Sequence, residues 1–164
     1  MSIKKGIYAA SMTIFDKDLS VDSDSTIKHS EKLIHDGCQG CVLFGSTGQA
    51  QLISSSEKKK LIEKLNNSQF KDHFILGTGT NSLNENVELL KFSINNGINR
   101  FLLGVPAYYK FGDEGAYSFY ANLIQKVPEV QIVLYNFEKL FGYKFSIQII
   151  ERLVKDFPNQ IIGV

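Results

Sequence analysis

The sequence predicts an α/β chain that forms the leading part of a (β/α)8 barrel, and three observations carry that prediction. Short apolar runs alternate with amphipathic segments about every 30 residues, the pattern of βαβ units around a parallel sheet. No G-x-G-x-x-G opens the first helix, as a doubly wound dinucleotide fold would usually show, so the barrel is favoured over the open sheet. Eight such units need about 250 residues. The 164 residues present are therefore expected to supply five units and the start of strand six, residues 1–164 being the N-terminal part of one domain.

The elements follow in order. Gly6–Phe15 is a mostly apolar run that predicts the first strand, with a polar loop over Asp16–Val21. Asp24–His35 predicts a helix, because Ile27, Leu33 and Ile34 share a face, Asp and Ser residues precede it and Gly37 ends it. Cys41–Phe44 is the second strand and stops at Gly45-Ser46-Thr47-Gly48. Ser54 and Glu57 have capping-box spacing ahead of Leu61, Ile62 and Leu65. Phe74–Gly77 is the third strand, and Ser82 with Glu85 repeats the capping signal before Val87, Leu90 and Ile94. Arg100–Val105 predicts strand four and Gly115–Val127 the helix after it. Gln131–Tyr135 predicts strand five, Ser146 caps a further helix, and Gln160–Val164 begins strand six.

Composition narrows the function classes. Hydrophobic residues make up 43% and charged residues 21%, ordinary for a water-soluble domain. A net charge of +1, spread along the chain, points to neither nucleic acid nor an anionic membrane surface. No apolar run approaches the roughly 18 residues of a membrane span. Met1-Ser2-Ile3-Lys4-Lys5 has no leader-like apolar core, so a cytoplasmic location is expected. Cys38 and Cys41 form one C-x-x-C, but it leads into a strand rather than opening a helix, and His29, His35 and His73 complete no zinc set. Core and turn cysteines are the expectation, and no metal is expected. The run Lys58-Lys59-Lys60 reads as a solvated helix face, and Tyr108, Tyr117 and Tyr120 read as packing residues.

In a barrel the loops at the carboxyl ends of the strands build the site. Those positions hold Ser46 and Thr47, Thr78 and Asn81, Tyr109, and Tyr135 with Asn136. The set is rich in hydroxyls and poor in carboxylates. It lacks the paired acids of a glycosidase and a Ser/His/Asp arrangement. Gly45–Gly48 lacks the spacing and lysine of a phosphate loop. Its backbone N–H groups and hydroxyls suit a small anion, and equally a plain turn; the four residues alone leave both open.

Taken together, Gly45-Ser46-Thr47-Gly48 with Ser54-Ser55-Ser56-Glu57, Gly77-Thr78-Gly79-Thr80-Asn81, Pro106-Ala107-Tyr108-Tyr109 and Leu134-Tyr135-Asn136…Gly142 resemble the successive motifs of the dihydrodipicolinate synthase/N-acetylneuraminate lyase family, in order from Gly6 to Val164. The resemblance implies a class I aldolase, usually a homotetramer, in which a lysine forms a Schiff base with pyruvate or another 2-oxo acid. It implies that Gly45, Ser46, Thr47 and Gly48 hold the keto-acid carboxylate and that Tyr135 is the acid/base beside the imine. Thr47 would pass protons between Tyr135 and Tyr109, the latter reaching in from a neighbouring subunit. The family's lysine follows an Ile-Ile-Gly-Val pattern, which places it immediately after Ile161-Ile162-Gly163-Val164. No metal or nucleotide cofactor is implied; the partners are pyruvate and an aldehyde.

Departures from the pattern bear on substrate. The synthase branch has Tyr-Asn-x-Pro-x-Arg-Thr-Gly, whose arginine holds the carboxylate of aspartate semialdehyde. Here Glu138 replaces the proline and Leu140 the arginine, with Lys139 left as a point charge. Ser46, Gln49 and Ile14 also replace the usual threonine, glutamate and proline. An aldolase or lyase acting on a 2-keto-3-deoxy acid is thus expected ahead of dihydrodipicolinate synthase. The alternative of another class is a non-catalytic keto-acid binder or an inert fragment.

Overall fold

A computed structural model describes residues 3–164; Met1 and Ser2, part of the segment read above for a leader, lie outside the described residues. Six parallel strands pair in strict sequence order: β1 (Tyr8–Ala10), β2 (Gly40–Leu43), β3 (Phe74–Leu76), β4 (Arg100–Leu103), β5 (Gln131–Leu134) and β6 (Ile161–Gly163). That order settles the architecture. A doubly wound sheet reverses direction at a switch point, whereas successive strands added always on the same side form the arc of a barrel.

The strands alternate in burial. Cys41, Leu43, Phe74, Leu76, Phe101, Leu103, Ile132 and Leu134 are buried in the main core. Their in-between neighbours Val42, Ile75, Leu102 and Val133 occupy the opposite face and are aligned across strands by the register Val42↔Ile75 and Leu102↔Val133.

The helices α1 (Ser23–His35), α2 (Ser55–Leu65), α3 (Leu83–Asn95), α4 (Asp113–Lys126), α5 (Glu138–Phe141) and α6 (Ile147–Asp156) fill the connections. Asp22 caps α1 by accepting from the Ser25 N–H at 2.9 Å. Ser54 and Glu57 form the full reciprocal capping box at α2. At α3 only half of the expected box forms: Ser82 accepts from the Glu85 N–H, but the Glu85 carboxylate takes the Thr80 hydroxyl instead. Leu61, Ile62, Leu65, Leu89, Leu90, Leu123, Ile124 and Leu153 then carry the helices onto the sheet.

Three expectations need correction. The first strand is three residues, not ten. Ser11 still donates its N–H to Val42 O at 3.0 Å, but beyond it the backbone leaves the ladder, and Thr26 Oγ1 accepts from the Ile14 N–H at 2.9 Å. Phe15 returns only as an isolated antiparallel bridge to Val21. Helix α5 goes beyond the elements that the sequence predicts, since four residues carry no periodicity. Lys58 is no solvated residue; it is 4% exposed. Among the described residues no helix is long and apolar enough to cross a membrane.

Candidate active site

The second strand ends under strain. Phe44, a bulky and buried residue, has φ +58°, and Gln49 has φ +53°, so the chain is turned sharply on both sides of Gly45-Ser46-Thr47-Gly48. Close packing holds this shape. The N–H of Gly77 donates to Leu43 O at 2.7 Å, which brings β3 so near that a Cβ on Gly77 would lie 2.1 Å from the Phe44 carbonyl oxygen. Gly48 is held from the other side: its carbonyl accepts from Thr13 Oγ1 at 2.7 Å.

A cleft of about 320 Å³ opens at the carboxyl ends of β2 to β5. Its rim includes Gly45 and Ser46 after β2, Gly77–Asn81 after β3, Gly104 and Val105 after β4, and Tyr135 after β5. Across this mouth Ser46 Oγ and the Tyr135 hydroxyl share a hydrogen bond of 2.9 Å, joining residues 89 positions apart. The Tyr135 ring is steered by contacts with Phe141 and Phe137, at centroid distances of 5.4 and 5.8 Å. Asn81 ties two loops together by accepting from the Ala107 N–H at 2.9 Å.

The expected site residues separate into two groups. Ser46, Gly45 and Tyr135 meet at the cleft, as do Thr78 and Asn81. Thr47 is exposed and lies off the cleft wall, so the residue that the chain hydrogen-bonds to Tyr135 is Ser46 rather than Thr47. Gly48 is buried behind the turn. Tyr109 is 78% exposed and packs edge-on against the similarly exposed Tyr108, whose expected packing role is not met. Cys41 is buried on β2, donates to Ser30 O at 3.3 Å, and burial pushes its thiol up to about 11, far from the reactive thiolate range.

Lys58 is the residue that sequence reasoning missed. Its ammonium donates to Thr78 O at 2.7 Å, behind the β3 side of the cleft, and burial lowers it from 10.5 to about 8 against the opposing pull of Glu85 and Glu57. The signal was present in the spacing. Lys58 stands three residues before Leu61 and four before Ile62, hence on the buried face of α2. Lys59 instead pairs with Glu88 and lies over the Phe92 ring, and Lys60 is exposed.

A sequential parallel sheet with a cleft at its carboxyl ends defines a barrel protein of the (β/α)8 class. The chain belongs to the dihydrodipicolinate synthetase family, whose family model matches residues 4–164. It is 33% identical over 161 residues to the 4-hydroxy-tetrahydrodipicolinate synthase of Bartonella bacilliformis, covering 98% of this chain and 54% of that protein. Among solved structures it superimposes on dihydrodipicolinate synthase from Agrobacterium tumefaciens with a TM-score of 0.92 at 26% identity, covering 98% of this chain and 57% of the other. It matches 2-keto 3-deoxygluconate aldolase from Picrophilus torridus with a TM-score of 0.86 at 25% identity, covering 94% and 56%. The chain thus spans about half the length of the relatives it matches.

Proposed function

We propose that the complete protein is a carbon–carbon lyase of the class I aldolase type, forming or cleaving a 2-keto or 2-keto-3-deoxy acid through a pyruvate–lysine imine. The observation that carries this reading is the Ser46–Tyr135 hydrogen bond across the cleft mouth. It pairs a hydroxyl on a strained, N–H-rich turn with a phenol, the parts needed to hold a carboxylate and move a proton.

In this reading the lysine expected after Val164 adds to the pyruvate ketone and water leaves, giving the iminium. Loss of a C3 proton gives the enamine. Its C3 bonds to the aldehyde carbon, whose oxygen takes up a proton, and water then releases the hydroxy-keto acid and restores the amine. Tyr135 is the acid/base, and Gly45 and Ser46 hold the carboxylate with Thr47 and Gly48 completing the turn. A phenol with a reference pKa near 10 needs a partner to exchange protons at neutral pH. Ser46 supplies the direct contact, and Thr47 with Tyr109 of a neighbouring subunit extends the relay. The high exposure of Tyr109 supports its availability to such a neighbour. A cytoplasmic homotetramer using neither metal nor nucleotide completes the reading.

The name of the Bartonella bacilliformis relative favours a second reading, 4-hydroxy-tetrahydrodipicolinate synthase. Leu140 at the position of the carboxylate-binding arginine speaks against it. Borohydride treatment of the full-length protein with pyruvate, followed by intact mass, tests the imine. The expected result is one reduced pyruvyl adduct per chain; its absence would leave a keto-acid binder. Coupled assays with aspartate semialdehyde against keto-deoxy acids separate the two enzyme readings.

A further inference from the structure

One loop grips the turn Gly45–Gly48 at both of its ends. The turn is bounded by Phe44 and Gln49, both at positive φ, and the loop after β3 meets it at those two places. Gly77 abuts the Phe44 carbonyl. Gly79, itself at φ +63°, abuts Ala50, where an added Cβ would lie 2.5 Å from the Ala50 Cβ. Neither glycine leaves room for a side chain, so the loop is a wedge that fits the turn in one position. Thr78 stands between the two glycines, and its carbonyl is the atom that Lys58 Nζ reaches from α2 at 2.7 Å.

An amine is a costly side chain to place there. Lys58 and Thr78 are both almost wholly buried, and the neighbouring carboxylates are engaged elsewhere, Glu57 with the Ser54 and Val21 N–H groups and Glu85 with the Thr80 hydroxyl. An apolar side chain of the same length would fill the space without giving up hydration, so packing alone gives no reason for the ammonium. Its gain is a charge-assisted bond to one carbonyl, that of Thr78. The contacts that grip the turn are made by residues 43 to 79, all within the first three units of the barrel.

We propose that Lys58 is a positioning residue of the site: by pinning Thr78 between the two glycines it holds the β3 loop against both ends of the Gly45–Gly48 turn, and so keeps the Ser46 hydroxyl against Tyr135. Lys58 itself touches no substrate. The proposal rests on the aldolase reading for what the turn holds, but not for how the turn is held. Once Thr78 is released, the strain at Phe44 and Gln49 is free to relax and the Ser46 hydroxyl moves off its partner, and a misplacement of about 1 Å at a site can cost about 10²-fold in rate.

Hydrogen–deuterium exchange read by mass spectrometry on the full-length protein at pH 7 tests the support. Lys58→Met is expected to speed exchange about tenfold in peptides covering residues 44–50 and 76–80, while the amides of α4 exchange as in wild type. Lys58→Gln, a polar side chain one bond shorter than lysine, is expected to give the same local change, so the outcome does not hang on how one replacement packs. A double-mutant cycle on kcat/KM for pyruvate tests the consequence. Lys58→Met is expected to lower it by about tenfold or more. Ser46→Ala is expected to cost about tenfold in wild type and less than about threefold in the Lys58→Met background. A lysine that only stabilises the fold would give additive losses and a change in exchange spread along the chain. If borohydride trapping fails while the local change in exchange holds, the aldolase reading falls and the support of the turn stands. Exchange at 44–50 that is unmoved, or raised evenly along the chain, would overturn the proposal, as would additive losses in the cycle.

Discussion

Lys58→Met removes a buried ammonium and keeps a side chain of similar length. In the folded chain burial lowers this amine from its ordinary 10.5 to about 8, a difference of about 3 kcal/mol between its charged and neutral forms. The unfolded chain holds the proton up to about 10.5 and the folded chain gives it up near 8. Between those values the unfolded state binds more protons, so Lys58 makes stability rise with pH, by up to about 1.4 kcal/mol per pH unit. The penalty is fully present below pH 8 and vanishes above 10.5. The thioether of the variant has no such titration. It leaves the Thr78 carbonyl without its 2.7 Å donor, a loss of about 1 kcal/mol that does not vary with pH. Urea unfolding followed by circular dichroism, at fixed protein concentration from pH 7 to pH 10, reads the difference directly. The wild-type protein is expected to gain about 2 to 3 kcal/mol on the variant over that range. Parallel curves for the two proteins would refute the placement of Lys58 as a buried, mostly desolvated amine.

Three further outcomes follow from the geometry. Tyr135→Phe removes the hydroxyl bonded to Ser46 and is expected to lower turnover of a keto-acid substrate by about 10² to 10⁴ while changing stability by only about 1 kcal/mol; steady-state kinetics beside a thermal melt would show it, and unchanged turnover would remove Tyr135 from the chemistry. Gly77→Ala forces a methyl against the Phe44 carbonyl and is expected to cost about 1 to 3 kcal/mol and open the cleft, measured by urea midpoint and keto-acid affinity. Ser54→Ala breaks the capping box of α2 and should cost about 1 kcal/mol in the same unfolding assay, with activity retained.

Most of the frame was legible because it is written locally. Ser54 and Glu57 announce the start of α2 by spacing alone, and the structure closes that box in full. Leu61, Ile62 and Leu65 name the buried face of the same helix, and a stricter use of that periodicity would have placed Lys58 on it. The same reasoning failed where a partner from elsewhere competed. Glu85 has the spacing to close a second box, yet Thr80 takes its carboxylate. Residues 12–15 are apolar enough for a strand, yet the Thr26 hydroxyl of α1 takes the Ile14 N–H and the backbone leaves the sheet.

The site divides along the same line. Which residues sit at strand ends is a matter of counting along the chain, so Ser46, Thr47, Thr78, Asn81 and Tyr135 were all within reach of sequence reading. Which of them touch is not, because strands β2 and β5 are brought to one mouth only by the closing arc of the sheet. Sequence by itself determined the alternation of strand and helix, the caps and the hydroxyl-rich strand ends, since each depends on residues a few positions apart. Tertiary structure alone decided that Ser46 rather than Thr47 meets Tyr135, that Lys58 is buried behind Thr78, and that the Phe141 ring rests on Gly104. Those outcomes depend on side chains 20 to 89 residues apart being packed to within a few ångströms, and no local preference encodes that distance.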